Sequence, residues 1–232
     1  MQLLSFVPLA LAVSSLAAPA GAPKGFPGLP GKPNFNCDQE LKMGPIAGLQ
    51  APSHAVSLIA LGVGTQNYTC GETGTFASAG AVAALFDVSC LSSDLPALSA
   101  SAFDVWNKLP PSTPAVSALG SIPGLNKFSM GDHYFTTNPS GGISPKWDMT
   151  NGAFKGNADA FVIAAKSGGV PSPAGSSNVD WLYLTKNSGS LADEIYRTET
   201  HGGQPPASCT AGQTTTVKYT SLYYLTGGSV KK

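Results

Sequence analysis

The chain has 232 residues; its thirteen basic and thirteen acidic side chains cancel, and charged residues make up only 11% of the total. That balance excludes a basic nucleic-acid face and a polybasic membrane patch, so no nucleic-acid partner is expected. A hydrophobic share of 42% excludes wholesale disorder, and 27 glycines with 19 prolines fit a β protein rich in turns.

In chain order the first element is a leader. Residues 1–20 carry an apolar stretch from Leu3 to Leu16, with small residues at Ser15, Ala17, Ala18 and Ala20. This is the length of a secretory signal core and too short to span a bilayer. Cleavage is expected between Ala17 and Ala20, giving a secreted, extracellular protein that can associate with the cell wall. Residues 21–44 form a Pro/Gly-rich arm in which Gly25, Gly28 and Gly31 recur every third place, too few triplets for a triple helix. A single domain is expected over 45–226. The tail 227–232 lacks the apolar end of a lipid-anchor signal. No later apolar run reaches spanning length, so no membrane span is expected, and the protein is read as a monomer.

The domain reads mainly as short strands at 54–62, 66–70, 80–89, 131–137, 160–166, 179–186, 194–200 and 214–225, punctuated by Gly, Pro, Asn and Ser clusters. In the last, Val217, Tyr219, Ser221 and Tyr223 alternate with Lys218, Thr220, Leu222 and Tyr224, a pattern expected when both strand faces are covered. The first run, SLIALGVGTQNYTCG, raises a nucleotide question through Gly62 and Gly64. A dinucleotide loop needs a third glycine three residues after the second and a helix to hold the pyrophosphate. That place is Asn67, and the residues behind it carry no helical period; Asp87 follows turn formers. No dinucleotide cofactor is expected, and the glycine pair reads as a bulge or turn joining two strands.

One helix is expected in an insertion over about 94–128. Leu98, Ala102, Val105, Trp106 and Leu109 share a face, Asp94 can cap the start, and Pro110-Pro111 stop the end. Its role would be to pack over one sheet face or edge. Many short strands with one helical insertion predict an all-β fold, a β-sandwich or a flattened barrel. The four cysteines, Cys37, Cys70, Cys90 and Cys209, read as two disulfides stapling it, with three connectivities open. No C-x-x-C or His-Cys cluster exists, so no metal is expected. Asn67-Tyr68-Thr69 is the sole N-glycosylation sequon, because Asn138 precedes proline.

An ordered set of short motifs runs through the domain. Gln66-x-Tyr68-x-Cys70 is followed by Leu85-Phe86-Asp87, Gly131-Asp132-His133-Tyr134 and Pro145-Lys146-Trp147. Then come Asp180-Trp181-Leu182-Tyr183-Leu184, Ile195 to Thr200, Gly202 to Pro206 with Cys209, and Val217 to Thr220. The set resembles the DUF3455 family of exported fungal and bacterial proteins over roughly residues 45–226. The family implies no established activity. Fungal members often bear a malate-dehydrogenase-like label that these residues do not support. This chain departs where other members commonly have H-Y-x-G-P-x-W: FTTNPSGGISPK lies between His133-Tyr134 and Trp147, which argues against a fixed His–Trp site. Cys70 and Cys209 fall inside shared motifs, whereas Cys37 and Cys90 fall in parts that look specific to fungal members. The resemblance therefore implies Cys70–Cys209 and Cys37–Cys90 pairing.

The chemistry-bearing candidates are few. His133 is a possible general base, and Asp87 or Asp148 could reach it through the fold, but Asp132 cannot pair with it directly along a strand. The ordinary reading of His133 is a hydrogen-bonded structural histidine, since no second His lies at ligand spacing. No G-x-S-x-G exists, and loosely placed acids such as Asp180 and Glu199 occur in any chain of this length. Trp147, Trp181, Tyr134 and Tyr219, with Tyr183 and Tyr223, can offer flat faces to a sugar ring or another apolar ligand, although strand aromatics more commonly fill a core. Arg197 could pair with Asp180 or Glu199 across strands. The sequence thus points to a non-enzymatic extracellular or wall protein that binds a glycan, a lipid or a host partner. The alternative is an extracellular hydrolase with a His/carboxylate site.

Overall fold

A computed structural model describes residues 40–91, 94–115, 125–138 and 141–230. The expected leader, most of the Pro/Gly arm with Cys37, and part of the insertion lie outside the described residues.

Each strand alternates, and the alternation decides which side chains enter the interior. The strands are β1 (Val56–Cys70), β2 (Phe76–Asp87), β3 (Ser129–Thr137), β4 (Ile143–Asp148), β5 (Phe161–Val170), β6 (Trp181–Gly189), β7 (Glu194–Gly202) and β8 (Thr214–Thr226), with helix α1 (Leu95–Lys108) between β2 and β3. Every strand pairs antiparallel with its sequence neighbour, and β8 returns to pair with β1, closing a barrel. Of the two architectures expected, a sandwich or a flattened barrel, the chain takes the barrel: one sheet curled on itself. Closure follows from the length of the outer strands, 15 residues in β1 and 13 in β8. Bulges in the β1–β2, β2–β3, β5–β6 and β7–β8 ladders coil the sheet.

Two sequence expectations are corrected. The glycine pair is neither a turn nor a bulge: β1 runs unbroken through Gly62 and Gly64, which pair with Leu85 and Ala83, and the register shift falls later, between Asn67 and Tyr68. Glycine is needed there for space. A Cβ at Gly62 would sit 2.5 Å from the Tyr223 ring, and one at Gly64 would sit 1.9 Å from the Val82 carbonyl oxygen. The stretch around Pro145 is strand β4 rather than loop. Pro145 pairs with Phe135 of β3, while β5 engages only Lys146, Trp147 and Asp148, so the proline stands beyond that ladder.

The closed end of the barrel is filled by Leu58, Leu85, Met130, Met149, Val162, Leu184, Ile195 and Leu225. A second layer lies outside, where Ile59, Leu61, Val63, Phe86 and Leu222 pack under Ala102 and Trp106 of α1. Both faces of β1 and β8 are therefore covered, as the β8 alternation predicts. Helix α1 starts as expected, with the Asp94 carboxylate accepting from Ala97 N–H at 3.2 Å, and stops before Pro110. Trp106 Nε1 donates to the Gly64 carbonyl at 2.8 Å, and Lys218 Nζ donates to the Trp106 carbonyl at 2.9 Å, which docks the helix on the barrel. The Cys70–Cys209 bridge implied by the family motifs is present and spans 139 residues of sequence. Cys90 is also disulfide-bonded. Among the described residues no helix is long and apolar enough to cross a membrane.

Candidate ligand-binding site

The end of the lumen opposite the apolar plug holds a cavity of about 570 Å³. Its floor is made by strand register. His133 pairs with Trp147, Trp147 with Val162, Leu182 with Arg197, and Arg197 with Tyr223, so these side chains meet inside the barrel. The His133 ring stacks on Trp147 with centroids 4.4 Å apart, and Tyr223 stands edge-on to Trp147 at 5.3 Å. The insertion expected to separate His133 from Trp147 is a β3–β4 hairpin that brings them together.

His133 Nδ1 donates to the Lys146 carbonyl at 2.9 Å, which puts the lone pair of the neutral ring on Nε2. Burial holds the imidazole neutral, with its pKa pushed down to about 4, and the Arg197 charge adds to this. Tyr223 and Tyr219 share a hydroxyl hydrogen bond of 3.0 Å behind the floor, where burial raises the Tyr219 phenol far above its ordinary value.

The walls are more polar. Tyr68 donates to the Gly203 carbonyl at 2.7 Å, and burial raises its phenol pKa. The Arg197 guanidinium donates through Nε and Nη2 to one acceptor, the Asp180 carbonyl, at 3.1 and 2.9 Å. It forms no ion pair with a carboxylate among the described residues. Trp147 Nε1 is buried with no hydrogen-bond partner among the described residues, while the buried Gln66 side chain stands against the Tyr219 hydroxyl. Lys166 lies exposed at the rim, and β4 and β5, joined over three residue pairs only, part above Lys146 so that Ile143, Ser144, Ala164 and Lys166 line one side.

Of the residues singled out from sequence, His133, Trp147 and Arg197 come together here. Tyr219 lies behind them, buried against Val179. Tyr134 and Asp148 are outside the barrel: Tyr134 donates to Asp148 at 2.7 Å, and Lys146 meets the same carboxylate at 2.7 Å. Those contacts and two bonds from Thr150 hold the Asp148 carboxyl well below the usual range despite partial burial. Asp87 is buried at the end of β2, accepting from Ser89 N–H at 2.9 Å, and is not in the lining. Neither acid reaches His133. Trp181 alternates with Leu182 and so faces outward, with its Nε1 buried. Asn67 lies on the outer face of β1, half-buried, with its carbonyl accepting from Thr65.

Gln66, Lys166, Asp180 and Gln204 belong to the lining without having been read as a site. The signal for Gln66 and Tyr68 was present, because they alternate onto the face of Gly62 and Gly64. Among the described residues no cluster of three His, Cys, Asp or Glu side chains is placed to hold a metal ion. Comparison with characterised proteins and with solved structures gave no match. The sequence profile of the family described as "Protein of unknown function (DUF3455)" matches residues 51–227, the whole barrel, and the chain belongs to that family.

Proposed function

We propose that the protein is an exported, non-enzymatic binding protein that holds a small molecule in the mouth of its barrel. The observation that carries this reading is the cavity itself: about 570 Å³, lined by Arg197, Asp180, Phe135 and Leu182 above the buried His133–Trp147–Tyr223 stack. Eight strands is the size at which a barrel interior can hold one small ligand. Among a glycan, a lipid and a protein partner, the enclosed volume favours a small molecule or a short lipid over a polysaccharide chain. Binding rather than turnover is favoured because His133 is stacked and held by a main-chain carbonyl, with neither Asp87 nor Asp148 oriented toward it. The leader-like residues 1–20 and the Cys70–Cys209 bridge support export, and a closed barrel without free sheet edges supports a monomer. Native mass spectrometry of the protein recovered from culture medium, beside a broad hydrolase screen, tests the reading. A bound small molecule released on denaturation is expected; turnover of any screened substrate that is lost in His133→Asn would favour the hydrolase instead.

A further inference from the structure

The lining is unbalanced in a way that narrows the ligand. Arg197 is half-buried beside Tyr223, has no carboxylate partner among the described residues, and has spent Nε and one hydrogen of Nη2 on the Asp180 carbonyl. Its remaining N–H groups are left for something that accepts. Around Arg197 the lining carries neutral groups that both donate and accept, among them Ser78, Ser144 and Gln204, with one carboxylate, Asp180. A sugar meets those neutral groups but leaves the guanidinium without a counter-charge. A dianion such as a phosphate monoester would face Asp180 with one deep cation to offset it. One negative charge on a planar pair of oxygens suits a single guanidinium. Beside the charge, Phe135 and Leu182 present partly exposed apolar surface over the buried Trp147 and Tyr223 rings.

Resting on the binding reading above, we propose that the ligand is a small monocarboxylate with a flat or short apolar body, its carboxylate met by Arg197 and its body against Phe135 and Leu182, above the buried Trp147–Tyr223 pair. The site is thus selective for the acid over its neutral derivatives, because only the acid matches a partly desolvated cation. Lys166, exposed at the rim, adds long-range attraction but little affinity.

The test uses the full disulfide-bonded chain and three probes, 2-naphthoate, 2-naphthamide and naphthalene-2-methanol, read by quenching of tryptophan fluorescence and by calorimetry. Naphthoate is expected to bind about tenfold or more tightly than either neutral probe. Arg197→Met should remove that preference while leaving the neutral probes within about twofold, and Lys166→Ala should shift naphthoate by no more than about twofold. Equal binding of acid and neutral probes to the unaltered protein would overturn the carboxylate assignment while leaving the cavity a binding site. A loss of naphthoate in Lys166→Ala as large as in Arg197→Met would overturn the role given to Arg197. Failure of every probe to bind the unaltered protein would overturn the inference together with the binding reading beneath it. Because the acid and neutral probes are first compared on the unaltered protein, the outcome does not depend on Arg197→Met folding.

Discussion

At the scale of single residues, His133 couples the cavity floor to acidity. Its ring titrates near 4 in the folded chain, while a solvated imidazole titrates near 6.5. Between those values the unfolded chain binds the extra proton and the folded one does not, so stability falls as pH drops from about 6.5 to about 4. Above that window His133 contributes no such slope. Integrated over it, the loss is about 3 kcal/mol. Asp148, held far below the usual carboxyl range, gives up its contribution only at lower pH. Urea melts across pH 4 to 7 should therefore be clearly flatter in His133→Phe; identical slopes in the two proteins would show that His133 does not set the acid response. Gly62 acts on the same floor from the neighbouring strand, diagonal to Tyr223 across the β1–β8 ladder. Gly62→Ala drives a methyl into the Tyr223 ring, and the expected cost is about 1–3 kcal/mol in chemical denaturation, with weaker probe binding as Tyr223 swings into the cavity. Unchanged stability together with unchanged binding would contradict that contact.

At the scale of elements, what was legible in the sequence was what local physics determines. The α1 boundaries follow from the Asp94 cap and the Pro110-Pro111 stop, both within a turn of the helix they define. The β8 alternation already carried the two covered faces. β4 was not legible, since a proline normally demotes a strand and its tolerance depends on how far β5 extends beside it. Nor was the unbroken β1, because Gly62 and Gly64 are explained by Tyr223 and Val82, which arrive from strands distant in sequence or across a ladder. The candidate site shows the same division: His133, Trp147 and Arg197 were visible as residue types, but their meeting depends on registers that only the folded sheet defines. The Cys70–Cys209 bridge joins the end of β1 to the approach to β8, and by the chain-entropy model closing 139 residues stabilises by roughly 4–5 kcal/mol. The double variant Cys70→Ser/Cys209→Ser, which leaves no odd thiol, should lose most of that in equilibrium unfolding. A loss under about 1 kcal/mol would mean that the β1–β8 ladder alone restrains the chain ends.

At the scale of the whole molecule, the barrel is far from uniform around its circumference. β1 and β8 are matched along nearly their entire length, whereas the β4–β5 ladder has the pairs Lys146–Ile163, Trp147–Val162 and Asp148–Phe161, followed by one bond from Met149 N–H to the Ala160 carbonyl. Local opening follows the number of bonds that must break together, so this seam should breathe at a free energy well below that of global unfolding. In hydrogen–deuterium exchange, peptides covering 143–148 and 161–166 should take up label earlier than those of β1 and β8, and a ligand in the cavity should slow them selectively. Uniform protection around the barrel would show that the seam does not open by itself. If it does open, the cavity has a side slit as well as a mouth, and the rate at which a ligand escapes is then set by the fluctuation of a short backbone ladder rather than by diffusion past the rim.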